Sequence, residues 1–97
     1  MIRHVVTFTW AADAPAERRA ATLQALRDLR REVGGMTSLT VAEDAGLVDG
    51  NAHAVLIADF PDVESYYRYA QDPVHLAVIA EHVTPILESR TRIQYRF

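Results

Sequence analysis

The chain begins and ends on period-two alternation and carries helical periodicity in between. In MIRHVVTFTW, Ile2, His4, Val6, Phe8 and Trp10 fall on one face of an extended segment, and Arg3, Val5, Thr7 and Thr9 on the other. In RTRIQYRF, Thr91, Ile93, Tyr95 and Phe97 oppose Arg90, Arg92, Gln94 and Arg96. The first segment is mostly β-branched and aromatic, as suits a half-buried pleated surface. A short chain with a strand at each end and helices in the middle has few ways to bury both kinds of element around one core.

Between the two strands the punctuation is clear. Ala16, Ala20, Leu23, Leu26, Leu29 and Val33 recur at helical spacing, with Arg18, Gln24, Asp28 and Arg31 on the wet side. This predicts a helix that begins near Pro15, is capped by Asp13 and stops at Gly34-Gly35. Arg27, Arg30 and Arg31 lie in its last turns, where cations suit the helix dipole. Residues 38–44 read as a short second strand, Asp49-Gly50 as a turn, and 53–60 as a third strand paired with the second. Asp62 caps a second helix from Val63 to about Ala70, which carries Tyr66, Tyr67 and Tyr69. Asp72-Pro73 ends that helix and starts the last one. Leu76, Ile79, Val83, Ile86 and Leu87 form its apolar side, and Pro85 predicts a kink.

The order β–α–β–β–α(α)–β predicts an α+β fold, a ferredoxin-like two-layer sandwich in which helices cover one face of a four-stranded antiparallel sheet. One domain spanning 1–97 is expected at this length. If Phe8 and Phe60 point toward the helices, Val5, Thr7, Val55 and Ile57 lie on the far face, which is too apolar for an open surface. A second copy of the sheet is the expected cover, so the chain is expected to form a homodimer.

Composition narrows the chemistry. With no cysteine there is no disulfide, thiolate metal site or cysteine nucleophile. The net charge of −3, without a basic stripe, argues against nucleic acid as a partner. No apolar run approaches a membrane span, and the N-terminus lacks the apolar block of a signal peptide, so a cytoplasmic protein with no membrane partner is expected. No Gly-rich phosphate loop, serine elbow or dinucleotide fingerprint is present, and no cofactor is expected. Acid–base work is left to four histidines and four tyrosines. His75 follows the cap Asp72 by three residues, and Tyr69 lies six residues before it across the Asp72-Pro73 break, so a phenol and an imidazole can meet. His82 lies two helical turns beyond His75. His4 shares its strand face with Val6 and Phe8, and an imidazole in an apolar layer is the group most readily tuned for proton transfer near neutrality. Each also has a purely structural reading, as a core ring or a backbone hydrogen-bond partner. His53 is one step off the Leu56 and Phe60 parity and is expected to face away. No carboxylate sits at ligand spacing among His4, His75 and His82, and no metal site is expected.

The opening IRHVVTFTW, the corner ADFPDVESYYRYAQDPVH and the ending VTPILESRTRIQYRF resemble the stress-responsive dimeric A/B barrel (Dabb) family over nearly the whole chain. The specific parts are the early strand histidine and the Tyr-to-His step over a proline. The resemblance implies a ferredoxin-like monomer that dimerises through its sheet into an α+β barrel. The family is functionally mixed. It includes stress-associated, heat-stable plant members and olivetolic acid cyclase, which closes a linear polyketide by cofactor-free aldol condensation. By that resemblance His75 and Tyr69 are the catalytic pair, His4 is a further pocket histidine, and Leu23, Leu26, Leu56, Ala70 and Ile86 form the substrate-binding wall. Two departures stand out. The family's His-Pro-x-His corner is Asp72-Pro73-Val74-His75 here, and the cyclase's third-strand histidine has no counterpart in step. Three functional readings follow: a small-molecule-binding protein with cyclase- or lyase-type His/Tyr chemistry, a non-catalytic stress or accessory protein valued as a stable dimer, and a cofactor-free monooxygenase with Trp10 and the tyrosines lining its site.

Overall fold

The structure, a computed structural model, describes residues 1–97. Strand β1 (Ile2–Trp10) leads into helix α1 (Ala16–Glu32), followed by β2 (Ser38–Glu43) and β3 (Ala54–Phe60). Helices α2 (Val63–Gln71) and α3 (Pro73–Val78) come next. Helix α3 runs on through a wide π turn at Ile79–Val83 and a tight 3-10 turn at Thr84–Ile86 into β4 (Leu87–Arg96). The sheet is antiparallel throughout, in the order β2-β3-β1-β4. This is the ferredoxin-like sandwich that the element order predicts. No helix is long and apolar enough to cross a membrane.

The alternation of β1 becomes burial directly: Ile2, His4, Val6, Phe8 and Trp10 are buried, and the residues between them are half-buried. The register sets Val6 opposite Leu56 and Phe8 opposite Ala54, so the two central strands offer one apolar wall to the helices. Helix α1 lays Leu23, Leu26 and Leu29 on that wall, each at most 2% exposed. Burial of each such side chain contributes about 1.5–3 kcal/mol.

Local chemistry departs from expectation at several ends. Helix α1 starts after Pro15 with no side-chain cap, because Asp13 lies two residues ahead of the capping position. The caps at Asp62 and Asp72 do form: Ser65 N–H donates to Asp62 and Val74 N–H to Asp72, both at 2.8 Å. Strand β2 ends at Glu43 rather than Asp44, whose carboxylate turns to the Gly46 N–H and the Asn51 side chain. Strand β3 begins at Ala54 rather than 53, and His53 Nδ1 instead accepts from the Trp10 N–H at 2.8 Å. After α1 the chain turns through Gly35, whose φ of +96° suits glycine. Pro85 tightens the helix and ends it rather than kinking it, so β4 starts at Leu87, three residues before the predicted 90.

On the sheet face away from the helices, Arg3 and Asp59 form a two-pronged pair at 2.8 and 2.9 Å across β1 and β3. Around it lie half-buried Val5, Val55 and Ile57, with Ile93 and Tyr95 exposed. Val5 stands directly between Ile57 and Ile93 in the register.

Candidate functional site

Three elements converge on one cavity. His4 points from β1 toward the helices and is 6% exposed. Gln94, its register partner on β4, donates from Nε2 to His4 Nδ1 at 2.9 Å. With Nδ1 accepting, the neutral ring carries its proton on Nε2. His75 is placed by the helix break. The Asp72 cap and Pro73 restart the chain as α3, and His75 Nδ1 donates back to the Ala70 carbonyl at 3.3 Å. A carbonyl only accepts, so this bond leaves His75 Nε2 as a bare lone pair. Tyr69, buried in the last turns of α2, meets His75 with ring centroids 4.2 Å apart. It also meets His4 edge-on at 6.2 Å.

These side chains open into a cavity of about 200 Å³, with Val6, Phe8, Leu26 and Leu56 as an apolar floor. Tyr66, Ala70, Leu76 and Ile79 form the helix side, and Arg90 and Arg92 the strand side. Burial sets the protonation states. It holds His4 down to about 4, with His75 and Arg92 pushing the same way. His75 also lies below the ordinary imidazole value, chiefly through burial and further through Arg90, against the pull of the Ala70 carbonyl and Asp72. Burial, helped by Tyr66, raises the Tyr69 phenol. At pH 7 the site therefore holds an imidazole donor, an imidazole acceptor and a phenol donor. Nowhere in the chain do three or more His, Asp or Glu side chains converge as metal ligands would.

Of the expected site residues, His4, Tyr69, His75, Leu26, Leu56 and Ala70 line this cavity, whereas Leu23 and Ile86 do not. Leu23 sits one turn before Leu26 and faces a separate shallow cleft beside Trp10 and Arg19. Ile86 lies beyond the π turn, in the 3-10 turn whose carbonyl accepts from Ala11 N–H. Trp10 stacks on Phe8 at 5.2 Å and also faces the shallow cleft, so it does not line the cavity. His82 leaves the His75 stripe because the π turn adds a residue to that turn of helix; its own carbonyl accepts from Thr22. His53 serves the Trp10 backbone, away from the site.

The arginines, Val6, Phe8, Leu76 and Ile79 were not among the expected site residues, and Tyr66 was expected only as one of the tyrosines of the monooxygenase reading. Phe8 pairs with Arg90 and Val6 with Arg92, and directly opposed residues share a face, so both arginines face the helix layer. The signal was the β4 alternation itself; what the sequence lacked was which of its two faces turns inward.

Residues 2–97 match the sequence profile of the Stress responsive A/B Barrel Domain. The chain belongs to the Dabb family. Several solved structures superpose closely on it. A dimeric ferredoxin-like protein of unknown function from Thermobifida fusca is 25% identical, with 99% of this chain and 90% of that chain covered and a TM-score of 0.90. A Dabb family protein from Mesorhizobium loti is 23% identical, covered 99% and 95%, with a TM-score of 0.84. Hydroxynitrile lyase from Passiflora edulis is 17% identical, covered 97% and 90%, with a TM-score of 0.83. None of the curated proteins matches this Dabb chain by sequence.

Proposed function

We propose that this Dabb protein works as a cytoplasmic homodimer whose protomers each bind a small carbonyl compound between helices and sheet and rearrange it without a cofactor. The reaction class is carbon–carbon bond formation or cleavage, of the cyclase or lyase type. The observation that carries this reading is the contact of Tyr69 with His75 at the wall of an open cavity that also receives His4. In the cyclising direction, His75 Nε2 removes a proton α to a carbonyl. The carbanion attacks a second carbonyl of the same molecule, and the resulting alkoxide takes the proton back. Tyr69 O–H and His4 Nε2–H donate to the oxygen on which charge develops. A positioned base contributes about 10²–10⁴-fold to such a step.

The cavity also bears on the non-catalytic alternative, which expects Leu23, Leu26, Leu56 and Ile86 to fill the interior. Leu26 and Leu56 instead border open space. The homodimer is supported by the far sheet face, where Val5, Val55, Ile57 and Ile93 form an apolar patch, and by the similarity to the dimeric Thermobifida protein.

The test is turnover of a linear δ-diketone, whose intramolecular aldol closure gives a β-hydroxycyclohexanone that loses water in acid work-up to a cyclohexenone with its own ultraviolet band. The wild type should accelerate closure, and His75→Ala should lose that acceleration while melting within about 2 °C of the wild type, as befits a partly exposed side chain. Equal rates for the two proteins, or a collapsed melt, would show His75 to be structural.

A further inference from the structure

We propose that the ligand of this cavity is a small organic carboxylate, its head group held by Arg90 and Arg92 and its apolar part resting on Phe8, Leu26 and Leu56. The assignment names a substrate class for the site above and rests on that cavity being where the ligand binds. It does not depend on the proton-transfer roles of His75 and Tyr69.

Charge is the first support. The cavity wall contains two guanidinium groups and no carboxylate. The acidic side chains that do pair with arginine pair with Arg3 and Arg31, leaving Arg90 and Arg92 without an acidic partner. Asp72, which acts on His75, spends its carboxylate on the Val74 N–H. Both imidazoles titrate below their ordinary range, so at neutral pH the arginines are the permanent positive charges of the wall.

Placement is the second. Arg90 and Arg92 are two residues apart on one strand, so their side chains leave the same face roughly 6–7 Å from each other. They stand opposite Phe8 and Val6, which belong to the apolar floor. Both share the cavity wall with His4 and His75, and Arg92 lies two positions along β4 from Gln94, the register partner of His4. An anion held there would have its apolar part on the floor and its reacting carbon near both rings. The planar guanidinium fork matches a carboxylate in two-pronged fashion. A phosphate is the weaker fit, because no glycine contributes the backbone N–H cradle that phosphate sites use.

The experiment titrates ¹⁵N-labelled protein with hexanoate, hexanamide and hexyl phosphate, followed by amide chemical shifts. Hexanoate should bind about tenfold more tightly than hexanamide, in line with two solvent-exposed charge-assisted contacts. Its shifts should centre on residues 4–8 and 90–92. In the double variant Arg90→Gln/Arg92→Gln, both on an exposed edge strand, the acid and the amide should bind alike. Ala70→Leu, which narrows the cavity from the end of α2, should weaken both probes. Equal binding of acid and amide to the wild type, or an acid preference that survives in the double variant, overturns the proposal. Hexyl phosphate outbinding hexanoate overturns the carboxylate assignment in favour of a phosphate. Shifts absent for all three probes overturn both this assignment and the cavity as a ligand site. Loss of diketone closure with hexanoate binding intact would sink only the catalytic reading.

Discussion

His4 should make this protein acid-sensitive in a window set by its burial. Unfolded, the imidazole protonates near 6.5; folded, it holds out to about 4, because protonation places a charge in an apolar wall beside Arg92. Between those values the unfolded chain binds a proton that the folded one refuses. Stability from this site is therefore fully present above about pH 6.5, declines as the pH falls through the window, and levels off below about 4. A gap of this width, at about 1.4 kcal/mol per unit, corresponds to about 3 kcal/mol, and water in the adjoining cavity reduces it to about 2 kcal/mol. The assay is urea denaturation of the wild type and His4→Leu at one protein concentration, at pH 7.5, 6.0, 5.0 and 4.5. Carboxylates titrate in both proteins, so the difference between the two curves isolates His4. The wild type should lose about 2 kcal/mol more than the variant between pH 7.5 and 4.5. Parallel curves would refute the reasoning, since they would mean that folded His4 takes up its proton as readily as the unfolded chain does.

Three further outcomes test the packing. Ile57→Asp puts a charge in the middle of the far sheet face, and light scattering after size exclusion should show monomers where the wild type elutes as dimers. Leu26→Ala removes a fully buried side chain and enlarges the existing cavity, so chemical denaturation should read a loss of about 3 kcal/mol. Asp72→Ala deletes the cap of α3; it should cost about 1 kcal/mol and lower diketone closure more than stability, because the same turn holds His75 beside Tyr69.

The sequence by itself determined the elements and their order. Period two in β1 named His4 as inward-facing, and the Asp72-Pro73 break placed a tyrosine and a histidine on opposite sides of one corner. Both are local consequences of backbone geometry and capping, and local signals are legible in one dimension. The family resemblance pointed to Leu26, Leu56 and Ala70, which line the cavity. It also supplied Leu23 and Ile86, which pack elsewhere because one helical turn, or one non-α turn, is enough to aim a side chain at a different space.

Only the tertiary structure decided the rest. The π turn that removes His82 from the His75 stripe lies where the chain packs against α1, and no residue pattern announces it. The inward side of β4 was equally hidden. Its apolar residues would ordinarily claim the core, yet β4 is an edge strand, exposed along nearly its whole length, and the helix layer does not cover it. Its charged face can therefore border the cavity at little desolvation cost, while Ile93 and Tyr95 join the apolar patch on the other side. Alternation says that two faces exist. Which one meets the site depends on the register with β1, a long-range pairing between the two ends of the chain.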